Sequence, residues 1–171
     1  MRFLRSESGA VTIPTVLWIP LFVMILVAAV ELMLIEMRQV LLNRAVDITT
    51  RSLRLGSESL PSHETLKQQI CTAIHFVPDC SENLAVEVFP INTDTWSLSN
   101  TNAPLCTDGT SSAVLDPEIE TGGSNQLIAL RACLKLTPMG SGDPLAMALQ
   151  LDAGGRFALV AMTVFVNEPR S

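Results

Sequence analysis

The chain has 171 residues, 48% of them hydrophobic, with 11 Lys and Arg against 17 Asp and Glu and a formal net charge of -6. That acidic balance argues against nucleic acid as a partner, because neutralising phosphates takes a broad basic face. The length suffices for one domain of ordinary size, and for a smaller one once any membrane segment is subtracted.

The N-terminal stretch MRFLRSESG, residues 1–9, carries Arg2 and Arg5 and ends on a glycine. No charge then interrupts Ala10 to Val30. This run of about 21 residues would rise roughly 30 Å as a helix, the thickness of a bilayer's hydrocarbon core. A removable secretory signal has an apolar core of only about 7–15 residues before a small-residue cleavage site. Here Leu32 to Ile35 prolong the apolar character, and no Ala-x-Ala site closes it. The segment therefore predicts a retained membrane anchor over residues 10–37. Arg2 and Arg5 favour a cytoplasmic N-terminus, while Arg38, Arg44, Arg51 and Arg54 on the far side compete with them. Four cysteines, at 71, 80, 106 and 133, all lie beyond the run and favour an oxidising compartment for the bulk of the chain. Glu31 and Glu36 follow the run as candidate helix-packing or boundary carboxylates. A place at the outer interface is favoured over pairing with a basic group on a neighbouring subunit, since a charge at the bilayer centre costs about 2.5–3.5 kcal/mol.

Val40, Leu41, Ala45, Ile48, Leu53 and Leu55 continue at helical spacing, so residues 38–56 predict an amphipathic extension of the same helix, stopped by Gly56. One helix from about 12 to 55 would be about 65 Å long. Pro14 fits its first turn, whereas Pro20 removes an internal hydrogen bond and is expected to kink it.

Residues 57–171 form the predicted extracytoplasmic domain. Ser62 is the expected N-cap of a helix over HETLKQQICTAIHF, residues 63–76, which Pro78 ends. Three strands follow. LAVEVFPI, 84–91, alternates in part, and LIALRACLKLTP, 127–138, is expected to turn Arg131 and Lys135 to solvent. FALVAMTVFV, 157–166, is almost wholly apolar and reads as a central strand. Between the first two lies a polar segment from Asn92 to Asn125, and SGDPLAMALQLDAGG, 141–155, predicts a turn, a short helix and a second turn. Cys71 with Cys80, and Cys106 with Cys133, is the expected disulfide pairing among three possible connectivities.

The chemistry expected is sparse. The sequence has no phosphate-binding glycine loop, no H-E-x-x-H and no G-x-S-x-G. Asp108, Asp116, Glu118 and Glu120 lack the spacing of an EF-hand and are expected to form a solvated acidic loop. Neither His63 nor His75 completes a zinc spacing with the cysteines. No catalytic residue, metal, cofactor or small-molecule substrate is expected, and the chain is not expected to be an enzyme.

A short basic leader, a glycine and then an apolar helix resemble the signal sequence of type IV pilin-like proteins. The stretch from Gly9 to Gly56 is similar to the TadE and TadF proteins of the tight-adherence (Flp) pilus machinery. The likeness is carried by GA at 9–10, VLWIPLF at 16–22, VEL at 30–32 and RAVDITTRSLRLG at 44–56. IC…PDC at 70–80 and FALVAMTVFVNEP at the C-terminus match more loosely. The resemblance implies cleavage between Gly9 and Ala10 by a prepilin peptidase. It also implies a bacterial inner-membrane protein with a single span, a cytoplasmic N-terminus and a periplasmic domain. Its implied fold is α+β and pilin-like, a long helix leading into a small antiparallel sheet. Its implied partners are other pilin-like subunits, inner-membrane pilus assembly proteins and membrane lipid. One position departs from the pattern. Pilins carry a glutamate at the fifth residue after the cut, where it pairs with a neighbour's N-terminal amine. Counting from Ala10, that residue is Pro14.

Overall fold

The computed structural model describes residues 12–54, 61–75, 77–95, 97–98, 106, 125–139 and 144–167. Its first element is a helix of 43 residues, α1 (Thr12–Arg54), which runs without interruption through Pro20. The two halves of α1 are in different surroundings. From Val16 to Val30 the large apolar side chains stand exposed, Trp18 and Val16 at 67% and 69%. Beyond Ile35 one stripe turns inward, and Leu42, Ala45 and Val46 are almost wholly buried. Their spacing of three and four places them on one helix face.

That face lies on a small antiparallel sheet. The three long strands are β1 (Leu84–Asn92), β3 (Leu127–Leu136) and β4 (Phe157–Val166), and a two-residue strand, β2 (Ser97–Leu98), pairs with the end of β1. The order is β2-β1-β3-β4. The register sets Leu84 opposite Leu134 and Leu134 opposite Leu159, and then Val86, Ala132 and Ala161 in the next row. Because strand side chains alternate in direction, these rows share the face toward α1. They meet Leu42 and Val46 from α1 and Leu66 and Ile70 from α2 (His63–Ala73) in one core. Burying each such Leu or Ile stabilises the fold by about 1.5–3 kcal/mol. The fold is α+β, with a long apolar N-terminal helix on a small antiparallel sheet.

Helix α2 starts as its capping residue dictates. Ser62 is extended and its hydroxyl accepts from the Thr65 N–H, satisfying one of the orphan donors of the first turn. The helix ends at Ala73, before Pro78 is reached, where Ile74 leaves helical geometry. Cys80 opens α3 (Cys80–Asn83), a single turn bonded back to α2 through Cys71 with Cα atoms 5.7 Å apart. A five-residue helix, α4 (Pro144–Ala148), lies in the connection between β3 and β4.

Two expectations about the sheet are corrected. β4 is an edge strand, not a central one: Phe157, Leu159, Ala161 and Phe165 face the core, while Val160, Met162, Val164 and Val166 are 37–44% exposed. Arg131 does not reach solvent. It is 6% exposed on the sheet face away from α1, held by Glu87 on the neighbouring strand. Lys135 is likewise half-buried, in an ion pair with Asp152 at 2.8 Å.

Candidate functional site

Three features emerge from this arrangement. The first is the projecting half of α1. Its most apolar 18-residue window has a mean hydropathy of 2.5 and is only 6% buried, so by length and composition the helix can cross a membrane. A helix apolar on every side needs an apolar surrounding, and the domain does not supply it here.

The second feature is the junction at Glu31. This carboxylate is 2% exposed, and its Oε1 accepts from the backbone N–H of Met139 at 2.8 Å. It thus holds the start of the β3–β4 connection against α1, one residue past the uncharged run. Glu31 acts within its own chain, packing helix to domain. Glu36, one turn and a half further on, is exposed. No signal in the sequence linked Glu31 to Met139, because the contact joins residues 108 apart.

The third is the sheet face away from α1. Glu87 and Arg131 stand directly opposite each other in the β1–β3 register, bonded through Glu87 Oε2 and Arg131 Nε at 2.5 Å. The Arg131 guanidinium lies 5.2 Å from the centre of the Phe89 ring, within cation–π range. Glu87 Oε1 and Arg131 Nη2 are buried with no hydrogen-bond partner among the described residues. The same face carries Cys133, which is bonded to Cys106 with Cα atoms 5.3 Å apart. That bond ties Cys106 to this side of the sheet.

Two grooves, each of about 610 Å³, lie elsewhere. One runs between the second half of α1 and the end of β4, lined by Arg44, Asp47, Arg51 and Arg54 facing Thr163 to Val166. The other lies among Pro90 to Asp94 and Asn125 to Leu127. Among the described residues no group of three or more His, Cys, Asp or Glu is placed to hold a metal. His63 is spent on structure, its Nε2 3.0 Å from the Val86 carbonyl oxygen.

A polar constellation closes the turn before β4. Asp152 accepts from Lys135 at 2.8 Å and from the Arg156 and Gly154 backbone N–H groups at 2.9 Å each. The hydrogen bond from Lys135, aided by these backbone donors, lowers its pKa to about 2. Gly155 sits at φ +71, the left-handed region that a side chain would strain. This is a structural staple between β3 and β4.

Gly9 and Ala10, the candidate cleavage pair, lie outside the described residues, as do Gly56, Asp108, Asp116, Glu118 and Glu120. The structure brings Cys71 to Cys80 and Cys106 to Cys133, and it brings Glu31 but not Glu36 into a buried contact. Comparison of the chain with family models, with curated proteins and with solved structures finds no match.

Proposed function

We propose that this chain is a membrane-anchored, minor-pilin-like protein of the TadE type. In this reading it acts in assembly of a tight-adherence (Flp, type IV) pilus and has no enzymatic activity of its own. The observation that carries the proposal is the division of α1, with an apolar half exposed on every side and a second half built into the sheet domain. The first half is the bacterial inner-membrane span and packs laterally against the helices of other pilin-like subunits and assembly proteins. The second half holds the domain in the periplasm, a location supported by two disulfides, which need an oxidising space. A prepilin peptidase cuts between Gly9 and Ala10.

The test is the N-terminus of the mature protein in cells with an active prepilin peptidase. Ala10 is expected as the first residue, and retention of Met1 refutes processing as a pilin. A second reading is favoured by Pro14, which stands where a pilin carries its assembly glutamate. There the chain is an uncleaved, single-span scaffold for another envelope protein. Crosslinking from the exposed face of residues 20–37 separates the two. Adducts with pilin-like helices support the first, and adducts only with other envelope proteins support the second.

A further inference from the structure

The helix and the sheet share a common axis, and this fixes which end of the domain faces the apolar half of α1. The Gln39 Nε2 donates to the Val160 carbonyl at 3.0 Å, so those two residues stand level. Further on, Arg51 and Arg54 line one groove with Phe165 and Val166. From Gln39 to Arg51 the helix rises about 18 Å, and from Val160 to Phe165 the strand advances about 17 Å. β4 therefore runs alongside α1 in the same direction. Going backward from Val160, Phe157 lies about 10 Å earlier, level with about residue 32 of the helix. The bond from Met139 to Glu31 gives the same level independently.

The β3–β4 connection, in the parts described, thus lies at the end of the domain toward the uncharged run, which closes at Val30. Its described parts, 137–139 and 144–156, expose Met139 at 68%, Met147 at 81% and Leu151 at 41%. Ala146 is buried and Leu149 packs against the core, so α4 is anchored from behind while Met147 points away from the protein. From Thr137 to Gly155 the sequence contains no Lys or Arg. Lys135 and Arg156, at its two ends, are both drawn to Asp152, at 2.8 and 3.8 Å. A flexible, polarisable methionine between them suits an irregular apolar medium.

We propose that the described parts of this connection seat the domain on the bilayer, with Met139 and Met147 entering the boundary between headgroups and acyl chains. The inference rests on α1 spanning the membrane, and it adds a second, peripheral contact that holds the sheet upright on the lipid surface. The occupant is lipid, because the exposed apolar side chains lie at the level where the uncharged run ends. Because Lys135 and Arg156 are engaged by Asp152 and no Lys or Arg lies between them, the contact rests on apolar side chains and does not depend on anionic lipid.

Single-tryptophan variants of the full chain test this in proteoliposomes of phosphatidylcholine, with and without phosphatidylglycerol. Brominated phosphatidylcholine in each set serves as the depth-dependent quencher. In a background with Trp18 and Trp96 replaced by Phe, Met139→Trp and Met147→Trp are expected to shift to the blue. Quenching should place them roughly 5–10 Å below the headgroup surface, alike with and without phosphatidylglycerol. Val164→Trp, on β4 beyond the level of Gln39, is expected to stay unquenched. Native Trp18, restored alone, reports on the span itself. Quenched Trp18 with unquenched Met147→Trp overturns the seating while leaving the anchor intact. Unquenched Trp18 overturns the anchor, and the seating with it. A domain that fails to fold is recognised by loss of the non-reduced mobility given by its two disulfides.

Discussion

Replacing Arg131 by Met tests whether the ion pair on the far sheet face is a structural necessity or a replaceable filler. Arg131 and Glu87 are 6% and 3% exposed, and one oxygen and one nitrogen of the pair have no hydrogen-bond partner among the described residues. Removing Arg131 leaves a buried carboxylate with no counter-charge, at a cost of about 3–5 kcal/mol. Methionine keeps most of the volume against Phe89, so little of that loss comes from a cavity. At a urea slope of about 1–3 kcal/mol/M, the unfolding midpoint should fall by more than about 1 M. The double variant Glu87→Leu with Arg131→Met removes both charges and should return to within about 1 kcal/mol of the parent, or exceed it. The assay is urea unfolding of the full chain in a mild detergent, followed by far-ultraviolet circular dichroism with disulfides intact. The reasoning fails if Arg131→Met shifts the midpoint negligibly. It also fails if the double variant is as unstable as the single one, since the damage would then lie in packing and not in unpaired charge.

Other consequences are open to direct measurement. Cys106→Ala with Cys133→Ala opens a loop with a sequence separation of 27, against 9 for Cys71 and Cys80. On a chain-entropy account the losses are about 3.6 and 2.7 kcal/mol, so thermal melting should fall further for the first pair. Asp152, with its pKa lowered to about 2, contributes stability that is fully present above about pH 4. That contribution disappears as pH falls through 2, so an acid titration of Asp152→Asn should show a flatter limb below pH 4 than the parent. Leu42→Ala, at a site with no exposure, should cost about 2–5 kcal/mol by leaving a cavity between α1 and the sheet. Val27→Ala, 51% exposed on the projecting half, should leave the unfolding of the domain unchanged.

Much of the fold could be anticipated where one physical signal dominated. An uncharged run followed by apolar residues at helical spacing specifies α1 through to Arg54, and the Ser62 cap specifies where α2 begins. β4 reads as central in the sequence because continuous apolar composition cannot tell a strand flanked on both sides from an edge strand with one covered face. Arg131 reads as solvent-facing because alternation predicts the face of a side chain and not what covers that face. Its partner Glu87 is adjacent only through the register, 44 residues away in sequence. The junction at Glu31 was likewise invisible, since its donor is a backbone N–H that any residue at position 139 would supply. Within the candidate site, then, the apolar helix could be read from composition, while the contacts that orient the domain upon it depend on the fold.

The unbroken helix α1 makes the two halves of the chain rotationally indexed, like teeth cut at both ends of one shaft. At about 3.6 residues per turn, each residue between Val30 and Leu42 sets about 100° of azimuth between the projecting surface and the sheet. Inserting one alanine after Met37 would turn the sheet by about 100° and part Glu31 from Met139, whereas inserting four would bring it within about 40° of its original heading, one turn higher. Cysteine crosslinks between neighbouring copies, placed on the projecting half and on β4, would report that angle. A pattern indifferent to the number of inserted residues would mean that the helix does not transmit direction.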